Sequence, residues 1–165
     1  MYPIGSKVVH PAYGAGIIMW IQSKHIGGAN HDYYVIALGG PHTTHLLVPV
    51  LRAETLGLRC AGTAVHLRQV LAACQPPEEG DIDRDFRTRQ VSLRAELVSG
   101  SFAQVAAAVW ILGYLNVQRH LGNTDRELYA QGKDILASEL ALATEQDIKA
   151  ATVEIESLLD KMSPS

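Results

Sequence analysis

Five of the seven histidines fall within the first 45 residues: His10, His25, His31, His42 and His45. Imidazole is the commonest protein metal ligand and the usual proton carrier near neutral pH, so a metal or acid–base site is the first chemistry to test. His42-x-x-His45 is the best fragment, but no cysteine or carboxylate cluster completes it. On a strand, that spacing sends the two rings to opposite faces. The histidines therefore read as ordinary surface or half-buried residues, and neither a metal nor another cofactor is expected. Asp81, Asp83 and Asp85 alternate as in a divalent-cation loop. They lack the glycine and terminal glutamate of a calcium loop, and acids are favoured at a helix start in any case. Cys60 and Cys74 have no metal-ligand spacing and read as small core residues of a reduced protein. No phosphate loop, dinucleotide fingerprint or nucleophile elbow occurs, so the chain is expected not to be an enzyme.

The elements around the histidines are short and β-like. Lys7-Val8-Val9-His10 reads as a strand ended by Pro11, and Tyr13-Gly14-Ala15-Gly16 as a turn. Residues 17–22 form a second strand, Gly27-Gly28-Ala29-Asn30 a turn, residues 32–38 a third strand and residues 43–50 a fourth. Four short strands with tight connections predict a small curled sheet of Tudor or SH3 type over about residues 1–60. Such a module has little room for a catalytic pocket, but its edges can take a partner strand.

From Thr63 onward the strand signals vanish, giving an α+β chain whose second part, residues 61–165, is all helical with about five helices. Val65, Leu67, Val70 and Leu71 mark a short amphipathic helix, followed by a linker-like loop near residues 75–81. A second helix is expected from Ile82 or Asp83 to Val98, stopped by Ser99-Gly100, and Ser101 caps a third that reaches about His120. Thr124 to Glu127 has capping-box spacing for a fourth helix with Leu128, Ile135, Leu136, Leu140 and Leu142 on its buried side. Thr144 and Asp147 start a fifth, ending near Lys161. Trp110 and Tyr114, one turn apart, read as core or a contact patch.

At 165 residues, 47% apolar and 19% charged, the chain is globular in composition. No apolar run approaches the roughly 18–20 residues of a membrane span, and no signal peptide precedes the first strand, so a cytoplasmic protein without membrane partners is expected. Charge is unevenly divided: five basic against two acidic side chains before residue 76, a net +3, then nine against fifteen, a net −6. A domain that grips DNA by bulk charge is basic overall, so any nucleic-acid contact here must be a local patch.

Gly5-Ser6-Lys7-Val8-Val9-His10-Pro11-Ala12-Tyr13-Gly14-Ala15-Gly16 resembles the pattern G-D-x-V-V-[YH]-P-x-[HY]-G-x-G. That pattern opens the CarD family of bacterial transcription regulators, whose first domain is shared with the transcription-repair coupling factor. Ile26-Gly27-Gly28, residues 32–36, Leu47-Val48-Pro49-Val50 and Leu56-Gly57-Leu58-Arg59 continue the resemblance in order and spacing. In the helical part, Leu97-Val98-Ser99-Gly100-Ser101, Val105-Ala106 and residues 135–143 fall where the family has L-x-S-G-[DS], V-A and I-L-x-x-E-[IL]-A-L-A.

The resemblance implies a transcription regulator with two contacts. Its first domain would dock by strand addition on the RNA polymerase β subunit. Its helical domain would meet promoter DNA at the upstream edge of the melted region and modulate the open complex without performing chemistry. A wedge residue entering the minor groove and cations on the phosphates need no base code. Carried over position by position, Lys24, His45 and Leu47 face the polymerase. For the DNA contact the candidates are Phe86 at the wedge, with Arg87, Arg89 and Arg126 nearby. The first arginine of the family's wedge motif becomes Thr88, and an alternative alignment puts Ile82 at the wedge, followed by Arg84. Phe86 reads equally as a core aromatic. The alternative function is a polymerase-bound adaptor whose helical domain binds another protein. Nucleoid association follows from the DNA reading.

Overall fold

The computed structural model describes residues 1–39, 44–78, 80, 82 and 85–162. Among these, five strands form one antiparallel sheet: β1 (Lys7–His10), β2 (Gly14–Ile26), β3 (Ala29–Leu38), β4 (Thr44–Pro49) and β5 (Arg59–Cys60), in the order β4-β3-β2-β1-β5. Five helices follow: α1 (Ala64–Ala73), α2 (Phe86–Leu97), α3 (Phe102–Gln118), α4 (Asn123–Thr144) and α5 (Ile148–Asp160).

The strands are longer than the local sequence suggests. Gly27 and Gly28 both have positive φ, 63° and 81°, the backbone of a two-residue hairpin turn, so Ala29 and Asn30 enter β3 rather than the turn. Gly14 to Gly16 likewise belong to β2. A Cβ on Gly16 would lie 2.6 Å from the Ala37 carbonyl oxygen, so glycine there serves close strand approach rather than turning. Strand β5, two residues pairing Cys60 with Val8, carries too little signal to be read locally.

One face of the sheet buries Val8, Ile18, Tyr34, Ile36 and Val48 with Leu58. The helices bury a second cluster that includes Leu67, Leu93, Leu97, Val109, Leu112, Leu136, Leu140 and Ile155. Trp110 belongs to this core, to which α4 contributes Leu128, Leu136 and Leu140 together with Ala137 and Ala141, whereas Ile135 and Leu142 are only half-buried.

Several expectations need correction. Cys60 is exposed, because it closes an edge strand, and Cys74 is half-buried, its Sγ 3.3 Å from the Val70 carbonyl oxygen and its thiol pKa raised by burial. Helix α2 begins at Phe86, where Asp85 is the cap, and not at Ile82; Asp81, Asp83 and Arg84 lie outside the described residues. The capping box at Thr124 does not form: α4 starts at Asn123 with Gly122 as an N-cap that offers no side chain. Asp125, inside that expected box, is drawn into a buried pair instead. Ser101 and Asp147 do cap α3 and α5, accepting from the backbone N–H of Gln104 and Ala150.

Candidate functional site

Two surfaces collect the candidate residues. The first is the face of the sheet turned away from its core. A bulge between Ile18 and Trp20 breaks the alternation of β2, so that Ile18 stays in the core while Trp20, Gln22 and Lys24 turn outward. Registers then align Trp20 with Val35 and Val35 with Leu47, and align Ala37 with His45. Cross-strand partners share a face. Lys24, His45 and Leu47 therefore lie on one surface, with Trp20, Tyr33 and Val35 between them.

The Trp20 and His45 rings meet edge to face at 5.6 Å between centroids, and Lys24 Nζ sits 5.9 Å from the Tyr33 ring centroid. Trp20 is 44% and Leu47 38% exposed, while Val35 beneath them is buried. An apolar, aromatic face rimmed by Lys24 and His45 thus lies beside β4, the sheet's edge, whose outer side pairs with no described strand. Such an edge can accept an added strand, and such a face can cover its side chains. His42 lies outside the described residues, and no three metal-ligating side chains cluster among the described ones.

The second surface is the end of the helical part where α2 and α4 begin. Asp85 caps α2: it accepts from the Arg87 N–H and the Thr88 hydroxyl, and the Thr88 bond is the main reason its carboxyl is held below the usual range. Phe86, the next residue, is 55% exposed, so it is not a core aromatic. Arg87 is exposed, and so is Arg126, whose Nη2 donates to the Leu121 carbonyl at 3.2 Å.

Arg89 does not fit a phosphate-binding role. It is 5% exposed, and its Nη2 lies 3.0 Å from Asp125 Oδ2, with Gln90 Nε2 donating to the other Asp125 oxygen at 3.2 Å. A guanidinium so paired is spent on joining α2 to α4. The partners are 36 residues apart, so only the fold reveals the pair. Ile82 precedes the helix, half-buried.

Residues missed from sequence are Trp20, Tyr33 and Val35. Their signal was the i, i+2 spacing of Trp20, Gln22 and Lys24, which the bulge makes into one outer row.

Comparison with known proteins identifies the family. Residues 2–59 match the family described as CarD-like/TRCF RID domain, and residues 67–156 match the CarD C-terminal domain. The chain is 24% identical over 155 residues to a "Putative transcription factor YdeB" of Bacillus subtilis (strain 168), an alignment covering 91% of this chain and 99% of the relative. No helix among the described residues is long and apolar enough to cross a membrane. The chain belongs to the CarD family of transcription-related, RNA polymerase-interacting factors.

Proposed function

We propose that this protein docks on the RNA polymerase β subunit through the outer face and free edge of its sheet, and modulates the promoter open complex through its helical part. In this reading the division of labour falls near residue 60, which the two separate family matches, residues 2–59 and 67–156, support. The observation that carries the docking half is the exposed Trp20–Leu47 row beside β4, with Lys24 and His45 at its rim. Apolar anchors of this kind supply most of the affinity of a protein interface, while the added strand fixes register. A β-subunit fragment immobilised on a sensor should capture the full chain. Lys24→Glu should weaken that capture, and an unchanged affinity would count against docking through this face.

For the helical part, Phe86 is the wedge candidate, and Arg87 and Arg126 are its accessible cations. Promoter fragments with a forked upstream edge should bind the wild type more tightly than Phe86→Ala. A second reading has its own support: Arg89 is used internally and this half carries a net −6, so its surface suits a protein partner as well as a duplex. Unchanged fork-DNA binding and open-complex stability in Phe86→Ala would favour that adaptor reading. Neither role involves catalysis or a cofactor.

A further inference from the structure

The sheet and the helices meet through polar contacts made mainly by α4. Arg59, the first residue of β5, gives a two-pronged contact to Glu139: Nη1 to Oε2 at 2.9 Å and Nη2 to Oε1 at 2.6 Å. Its Nε also donates to the Gly100 carbonyl in the α2–α3 turn at 2.6 Å. Glu139 is 3% exposed and accepts a third bond, from the Gly62 N–H at 2.8 Å, in the short connection between sheet and α1. Beside it, Ser138 Oγ accepts from the Ala15 N–H at 3.2 Å.

The space flanking this pair is open. One cleft of about 460 Å³ is lined by Cys60, His66 and Phe102, another of about 430 Å³ by His10, Tyr13 and Asp134, and Arg59 and Glu139 border both. Apolar side chains from both parts, among them Val9, Pro11, Phe102 and Ile148, also line these clefts, and to this non-directional packing the fork of hydrogen bonds adds the directional contact that fixes the angle between the two parts. Bidentate arginine–carboxylate geometry does this well, because both planes are fixed at once.

Helix α4 carries the constraint onward. Fourteen residues separate Glu139 from Asp125, about 21 Å of continuous helix. At that far end, Asp125 is pinned by Arg89 and Gln90 of α2, next to Phe86. One chain of fixed contacts thus runs from the sheet, through Arg59, Glu139, α4 and Asp125, to the exposed aromatic.

We propose that Arg59 and Glu139 are positioning residues, a clamp that sets the docking face at a fixed angle to the Phe86 end so that both engage the transcription complex at once. This rests on the two-contact function proposed above. Holding both surfaces in the bound arrangement raises the effective concentration of the second contact after the first has formed. A flexible joint forfeits much of that gain without altering either contact.

The test measures amide residual dipolar couplings of the full chain, in wild type and in Arg59→Lys, which keeps the charge but cannot reproduce the fork. One alignment tensor should fit both parts of the wild type. In Arg59→Lys the two parts should need tensors of different magnitude. Open-complex lifetime should fall roughly tenfold while β-fragment affinity stays within about twofold, as expected when only the joint is loosened. If Arg59→Lys does not fold, Glu139→Gln carries the same test, because it keeps the shape and one acceptor oxygen while losing the charge and turning the other prong of the fork into a donor. A single unchanged tensor in a folded variant overturns the clamp, whatever the polymerase assay returns. Separate tensors with an unchanged lifetime overturn the positioning role. Failure of the wild type to bind the β subunit contradicts the docking proposal instead, and the couplings still decide the clamp.

Discussion

The outer face of the sheet and the open end of the helices use exposed aromatic residues in different settings. Trp20 shares a face with Tyr33, Val35, His45 and Leu47, an extended surface that a partner could cover. Phe86 is exposed at a helix start with Arg87 after it, while Arg89, one turn on, is buried against Asp125. The first arrangement suits a broad protein contact. The second suits a narrow insertion, held by few cations and sensitive to the angle at which it is presented. In an acidic domain such a contact is weak by itself and gains most when its position is set by the other surface.

The comparison breaks most visibly at its internal joints. Asp125→Ala removes the Asp125 carboxylate from the buried Arg89 guanidinium and from Gln90, and should destabilise the fold by about 3 kcal/mol in urea denaturation, with Phe86 presentation lost as well. A change within 0.5 kcal/mol, a size expected of an ordinary surface site, would mean the pair is dispensable. On the docking side, Trp20→Ala should cost about 2 kcal/mol of β-subunit affinity, roughly thirtyfold by titration calorimetry, with little change in melting temperature. An equal loss in both would recast Trp20 as a structural residue.

Smaller effects sharpen the helical end. Arg87→Ala should lower the slope of log affinity against log salt for fork DNA by about one, without changing β-subunit binding. An unaltered slope would remove Arg87 from the DNA surface. The smallest effect is on pH. The Asp85 carboxyl, held low chiefly by Thr88, stabilises the α2 cap at pH values above the ordinary carboxylate range, and this contribution fades as pH falls through its lowered folded-state pKa. Amide protection factors in the first turn of α2, with the intrinsic pH dependence of exchange divided out, should therefore fall on acidification in the wild type but less so in Asp85→Asn, whose side chain still caps but does not titrate.

Much of this arrangement is local enough to read from sequence. Ser101 and Asp147 announce their helices because a cap acts within three residues. The shared face of Lys24, His45 and Leu47 follows from spacing within strands once the register is known. What escapes is whatever depends on an insertion or a distant partner. The bulge at Ile18/Trp20 moves Trp20 from an expected core row to the outer one, and alternation cannot announce it. Arg89 and Asp125 lie in separate helices, so an arginine that matches a phosphate-contact motif becomes an interior tie. Arg59 and Glu139, 80 residues apart, fall in stretches that carry the family resemblance, but nothing local says that they meet until the fold joins them. In each case tertiary packing changes the role of a residue whose local signal stays the same.

The measurement that bears most directly on the function is calorimetric titration of the full chain into the RNA polymerase β subunit, with Trp20→Asp as the comparison. Saturable one-to-one binding by the wild type, abolished in a folded Trp20→Asp, is the predicted result. Equal binding by both proteins, or none by the wild type, would contradict docking through the outer face of the sheet.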